Sequence, residues 1–366
     1  MNKKKDKISK EFEKAIESGI FPGAVFLCAL KEKIFFYEAF GMADIFENRS
    51  MRKNSIFDLA SLTKALATTL AIVRLMEKKM LWPDMPISHI LKEFQNTDKA
   101  DITVDMLLRH SSGLPAHKNY YQEILKSDEK PKQCLNRLLL QEKPEYLPGK
   151  QQLYSDLGFM ILARIIEHLS GMRLDHFVSE EIYHPLGIED LFFIDLHSEN
   201  RKNYKNDSRF VSTRYCTWRK KLLSGEVDDD NAFAVGGIDG HAGLFGDVKA
   251  VWMLCLEILR ALQNNSPRVL IPGIMQQLVQ KDKRLGSGFE KVAGFDTPSE
   301  TGSSSGTFFS GSSIGHLGFT GTSFWIDPET DWIVILLTNR VHPDMNNEGI
   351  KTFRPLIHDL ARQEIK

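Results

Sequence analysis

Cysteine is scarce in this chain: four in 366 residues, namely Cys28, Cys134, Cys216 and Cys255. They lie far apart and none forms a C-x-x-C pair, so neither a disulfide scaffold nor a dithiol redox motif is encoded. Cys28 and Cys255 sit in apolar runs and read as buried free thiols. H-E-x-x-H is missing, as is any paired Cys/His cluster, so no metal and no cofactor is expected. An excess of one charge is missing too. A formal net charge of -1, without a basic block interleaved with aromatics, excludes a general nucleic-acid binder. A membrane span is also missing near the start, where Ala24 to Leu30 is too short to cross a bilayer. Lys3, Lys4 and Lys5 resemble the opening of a signal peptide, but no apolar core follows them. Ile8, Phe12, Ala15 and Ile16 alternate with Lys10, Glu11, Glu13, Lys14 and Glu17, which predicts an amphipathic helix. The expectation is a soluble, cytoplasmic protein, or a periplasmic one if a leader has been removed.

What is present is a core. The apolar share is 42%, ample for a core, and the length suggests two domains or one large two-lobed unit. After the first helix, Ala24 to Leu30 and Ile34 to Phe40 read as a strand pair turned by Lys31-Glu32-Lys33. From about Leu81 to Asp282 strand signals thin out. Helices are expected near 103–109, 132–141, 155–169, 173–182, 247–263 and 272–280, the fifth capped by Asp247. Gly225 to Gly246 reads as a glycine-rich loop. Strand signals return after Gly286. Ser313 to Thr320, Thr322 to Ile326 and Trp332 to Thr338 read as three adjacent strands, and Glu348 to Ile365 as a closing helix. The fold class expected is α+β: an antiparallel, five-stranded-type sheet flanked by helices, with an inserted helical lobe. Residues 1–80 and 283–366 would form the α/β lobe and 81–282 the helical one, with the site between them.

The chemistry centres on Phe57-Asp58-Leu59-Ala60-Ser61-Leu62-Thr63-Lys64. Ser61 through Val73 holds one charge, Lys64, in a segment with apolar residues on every helical face, and such helices are buried ones. Residues three apart share a face, so the Ser61 hydroxyl and Lys64 amine can meet. Desolvation favours a neutral lysine, and a neutral amine can take a proton from a serine. S-x-x-K alone is a weak pattern that occurs often by chance, and by itself favours an N-cap serine and a lysine that snorkels to solvent. Two further segments bear on the choice. Tyr154-Ser155-Asp156 opens an apolar helix, so the Tyr154 phenol stands at a helix start. His316-Leu317-Gly318-Phe319-Thr320-Gly321-Thr322 is a strand signal interrupted by glycines, which marks a close approach of ligand or backbone.

S-x-x-K, Tyr-Ser-Asp and His-x-Gly, in that order, resemble the serine β-lactamase and penicillin-binding superfamily, in its class C-like, peptidase S12-like branch. That branch includes DD-carboxypeptidases, amidases and esterases. Matches run along nearly the whole chain: 39–44, 57–64, 107–115, 147–149, 230–232, 240–245 and 315–322. The resemblance implies Ser61 as acylated nucleophile, Lys64 as its proton partner, and Tyr154 as general base alone or with Lys64. It implies an oxyanion hole from the N–H groups of Ser61 and Phe319, on the strand bearing His316 and Gly318. His316 would stand beside a substrate carboxylate, where much of the family has lysine. Asp156 takes a position that is often asparagine, near Lys64. His117 matches a substrate-contacting position, and His110 and His241 read as structural.

His316 weakens fixed positive charge, because an unperturbed imidazole titrates near ~6.5. Asp156 adds a negative charge that favours a protonated Lys64 and moves base duty toward Tyr154. Both argue against a dedicated β-lactamase. The activity expected is amide or peptide hydrolysis on cell-wall-type peptides through an acyl-enzyme. Ester hydrolysis or acyl transfer ranks second and β-lactam hydrolysis third. The partners expected are thus a small peptide, ester or β-lactam, and no nucleic acid. A non-catalytic peptide or penicillin binder would have no need of a buried Lys64. Two G-x-S-x-G matches, around Ser304 and Ser313, lack the strand and helix that an α/β-hydrolase needs.

Overall fold

The computed structural model describes residues 3–199, 204, 207–280 and 292–365. Its main sheet is antiparallel and joins both ends of the chain. In spatial order it runs β3 (Arg49–Ser50), β2 (Lys33–Asp44), β1 (Gly23–Leu30), β11 (Trp332–Thr338), β10 (Ser323–Asp327) and β9 (Ile314–Leu317). The five strands expected are joined by a two-residue edge strand, β3. All of β11 and nearly all of β1 are buried, because helices cover both faces of the sheet.

Alternation along the strands assigns those faces. Phe26, Cys28, Val334 and Leu336 pack with Phe12 and Ala15 of the Lys3–Glu17 helix and with Ile357 and Ala361 of the Ile350–Ile365 helix. Leu27, Ile335 and Phe324 point the other way, into the larger core shared with the Leu70–Glu77, Asp156–Ser170 and Val248–Gln263 helices. Leu27 pairs with Ile335, Ile335 with Phe324, and Phe324 with His316. Directly paired residues share a face, so His316 stands on the side of the larger core.

A second sheet positions the serine segment. β4 (Phe57–Asp58) pairs with β8 (Leu244–Gly246), which also pairs with β5 (Leu191–Phe193). The remaining pair is β6 (Tyr215–Cys216) with β7 (Lys221–Leu222).

The expected helices form, and the Asp247 carboxylate caps Val248–Gln263 by accepting the Ala250 N–H at 2.7 Å. Gly225 to Gly246 is more than a loop. It holds the helix Asp230–Ala234, capped by Asp229, and the strand β8. Five residues are too few to print a 3.6-residue period, and three too few to print an alternation. The strand expected from Ser313 to Thr320 stops at Leu317, where Gly318 to Gly321 turns back. The stretch 281–291, where strand signals return, lies outside the described residues. The four cysteines are buried, and none is joined in a disulfide among the described residues.

Candidate active site

Ser61 follows a strained turn. Ala60 holds φ +47°, a left-handed conformation that costs a non-glycine residue about 1 kcal/mol or more. The turn is tied down from both sides. The Asp58 carboxylate accepts the Ala60 N–H at 2.8 Å and the Asp228 N–H at 2.6 Å. Burial, with Asp228 nearby, pushes the Asp58 carboxyl up to about 7. The Leu59 N–H donates to the Leu244 carbonyl at 2.9 Å, and the Leu244 N–H to Thr63 Oγ1 at 3.1 Å. A π-helical turn, Lys64–Thr69, then runs into the Leu70–Glu77 helix. Such turns are rare and occur often at functional sites.

The Lys64 side chain is fully buried. Its Nζ lies 3.1 Å from Ser61 Oγ, 3.0 Å from the His241 carbonyl oxygen and 2.8 Å from Asp156 Oδ1. It also stands 4.9 Å from the centre of the Tyr154 ring, and the phenol hydrogen-bonds with the side chains of Lys64 and Ser61. The expected trio of Ser61, Lys64 and Tyr154 therefore meets.

The charge state differs from the simplest expectation. Burial alone pulls the Lys64 amine down, but the Asp156 carboxylate outweighs it and holds Lys64 above its ordinary value. Asp156 in turn is resisted by its own burial, yet Lys64 and His117 hold it well below the usual carboxylate range. A buried lysine is here a buried ion pair, not a neutral amine. The Tyr154 phenol is raised, chiefly by burial, against the opposing pull of Lys64.

Tyr154 sits just before the helix Asp156–Ser170, whose N-cap is Ser155. Ser155 Oγ donates to the Pro115 carbonyl at 2.6 Å, and the Asp156 N–H to the Ala116 carbonyl at 2.9 Å. His117 follows directly, with Nδ1 3.0 Å from Asp156 Oδ2. The predicted His117 and Asp156 are thus partners, and the Asp156 hydrogen bond raises His117 above its ordinary value.

The β9 end closes the site from the opposite side. Thr322 Oγ1 donates to the Leu59 carbonyl at 3.1 Å and Thr320 Oγ1 to the Asp58 carbonyl at 2.8 Å. The hairpin after His316 is therefore stitched to the segment before Ser61. His316 is buried, with Nδ1 2.8 Å from the Leu317 carbonyl oxygen and its ring 6.1 Å from that of Tyr154. Among the described residues, the N–H groups of Ser61 and Phe319 donate to no backbone carbonyl. Ser61, His117, Tyr154, Asp156, His316, Gly318 and Phe319 all line one cavity of about 710 Å³.

Sequence reasoning missed the part played by His241. Its backbone carbonyl accepts a hydrogen bond from Lys64 Nζ, and its ring is held 2.9 Å from Asp229 Oδ1. Burial opposes charge on that ring, but Asp229 and Asp239 push it up to about 9. No side-chain pattern marks a carbonyl, so this contact left no trace in the sequence.

Sheet, helical layers and site together define the β-lactamase/transpeptidase-like class of fold. The family profile described as Beta-lactamase matches residues 8–357, and the chain belongs to that family. It is 30% identical to an N-acetylmuramyl-L-alanine amidase of Bacillus subtilis (strain 168), over 93% of this chain and 82% of that one. It is 28% identical to an Escherichia coli K12 protein provisionally named a D-alanyl-D-alanine carboxypeptidase, over 88% of this chain and 79% of the other. Among solved structures it resembles EstCE1, a hydrolase with promiscuous acyltransferase activity. The TM-score is 0.77, with 21% identity and 98% of each chain covered. No helix of the described residues is long and apolar enough to cross a membrane.

Proposed function

We propose that this protein is a serine hydrolase acting through an acyl-enzyme on Ser61, with amide or peptide bonds of cell-wall-type peptides as its substrates. The observation that carries the reading is the 3.1 Å approach of Ser61 Oγ to a fully buried Lys64, on the wall of an open cavity. The Ser61 proton passes to Lys64 in its neutral form, or to Tyr154 ionised beside Lys64, as Oγ attacks the carbonyl carbon. The developing oxyanion lies against the N–H groups of Ser61 and Phe319. The leaving amine takes the proton back, and water repeats the sequence on the ester to release a carboxylate. His316, on the wall of the same cavity, would meet a substrate carboxylate. The names of the Bacillus and Escherichia relatives favour the peptide and amide class over simple esters.

Intact mass after fluorophosphonate treatment tests the nucleophile. The parent should gain one adduct and Ser61→Ala none. A panel of D-alanyl-D-alanine peptide, muramyl peptide, p-nitrophenyl acetate and a chromogenic cephalosporin tests the substrate class. Turnover confined to the acetate would move the assignment to an esterase, and an active Ser61→Ala would end the reading.

A further inference from the structure

Lys64 presents a difficulty that the reading above leaves open. To take a proton from Ser61 it must first be neutral, and Asp156 at 2.8 Å holds it charged. Removing the proton would leave a half-buried carboxylate without its cation, which is unfavourable when no other cation is at hand. His117 is at hand. Asp156 presents Oδ1 to Lys64 Nζ and Oδ2 to His117 Nδ1, at 2.8 and 3.0 Å. One carboxylate is thus shared between a buried amine and an imidazole whose side chain is 46% exposed in the cavity.

We propose that His117 is a positioning residue that takes over Asp156 as a cationic partner when Lys64 becomes the neutral base; this rests on Ser61 and Lys64 acting as proposed above. Neutral His117 donates from Nδ1 to Asp156 Oδ2; as Lys64 gives up a proton through the Ser61 hydroxyl to water in the cavity, water in the same cavity protonates His117 at Nε2. Asp156 ends as it began, a carboxylate. Lys64 ends as a neutral amine and His117 as an imidazolium, so the net charge of the trio is unchanged. Either cation can satisfy Asp156, and the two arrangements differ only in where one proton sits. The charged groups facing His117 are Asp156 and Asp229, which favour its protonated form, and His241, which opposes it. On the far side of Asp156, Lys64 faces Tyr154 and the His241 carbonyl. A peptide-binding role alone would place His117 on substrate and leave the protonation of Lys64 untouched.

The experiment follows kcat and KM against pH for the parent, His117→Ala, His117→Gln and Asp156→Asn, with the Ser61 fluorophosphonate adduct measured on each. A parent that forms no adduct condemns the acyl-enzyme reading itself, independently of His117. With the adduct present, His117→Ala should lower kcat at neutral pH by about tenfold or more and move the acid limb of the kcat profile upward by about one unit or more. His117→Gln, which keeps a hydrogen-bonding group but cannot charge, should move the limb in the same way. Added imidazole should restore part of the kcat of His117→Ala. In the Asp156→Asn background, His117→Ala should leave the acid limb where it was. A raised KM with an unmoved acid limb, or equal limb shifts with and without Asp156, would overturn the proposal.

Discussion

His110 Nδ1 accepts the Ser155 backbone N–H at 3.0 Å, while the His110 carbonyl accepts the Leu153 N–H at 2.9 Å. The residues on either side of Tyr154 are thus fixed by one histidine. An Nδ1 that accepts leaves the ring proton on Nε2. His110 itself sits at φ +58°, and its ring lies 4.6 Å from that of Tyr154. The phenol is aimed at Ser61 by a frame that holds its chain neighbours and packs on its ring.

That frame makes Tyr154→Phe a clean test of the hydroxyl. Ring packing against His110 survives the substitution, so stability should change little. Loss of the proton-shuttling hydroxyl should lower kcat by about 10²–10⁴-fold with KM nearly unchanged. Steady-state kinetics on any turned-over substrate, with a thermal melt as control, decides it. A loss confined to KM would reassign Tyr154 to binding.

Asp156→Asn isolates the charge on Lys64. Burial lowers the lysine and Asp156 raises it, so without the carboxylate burial acts with one fewer opponent. Lys64 should become neutral at lower pH. The acid limb of the kcat profile should therefore move down, by about one unit or more. Asparagine keeps the shape and one acceptor oxygen for the amine. A pH profile that keeps its acid limb in place would show that Lys64 does not set it.

Much of this site was legible, and the reasons are local. Ser61 and Lys64 are one turn apart in an apolar segment, and Tyr154 opens an apolar helix, so short-range periodicity was enough. Glycine interruption flagged the end of β9, where Gly318 abuts Leu59. The charge on Lys64 could be half read. Its burial followed from the neighbours along the chain, and Asp156 pointed toward protonation, but only the 2.8 Å contact decides which effect wins. The His117–Asp156 pairing and the His241 carbonyl contact are long-range and leave no spacing in the sequence. β4 pairs with β8 across more than a hundred residues, and β8 with β5 across more than fifty, so neither β4 nor β8 advertises a strand.

Gly318→Ala tests the seam between the β9 hairpin and the serine segment. An added methyl would fall 2.0 Å from Thr322 Oγ1 and 2.7 Å from the Leu59 carbonyl oxygen. Leu59 is backbone, fixed by its own bond to Leu244, and cannot give way cheaply. The hairpin would have to move off the seam, at about 1–3 kcal/mol of overpacking. Phe319 would move with it, and a displacement near 1 Å at a reacting centre costs about 10²-fold. Urea titration and kcat/KM should both report the loss. Unchanged activity would mean that the Phe319 N–H takes no part in stabilising the oxyanion.

His241 makes a prediction about stability rather than rate. Its ring is raised from 6.5 to about 9, with burial opposing and Asp229 and Asp239 prevailing. A raised value means that the folded protein holds this proton more tightly than the unfolded chain. The resulting stabilisation is fully present below pH ~6.5 and is lost as pH rises toward about 9. At ~1.36 kcal/mol per unit the contribution is on the order of 3 kcal/mol. His241→Gln cannot charge, so it should be less stable than the parent by the largest margin near pH 6.5, and the margin should shrink by pH 9. Urea midpoints of both proteins across that window measure the difference directly, and other titrating groups cancel in the comparison. A margin that stays constant with pH would mean that the imidazole holds its proton no more tightly in the folded protein than in the unfolded chain. The Asp229 and Asp239 carboxylates would then flank that ring without the attraction of a cation.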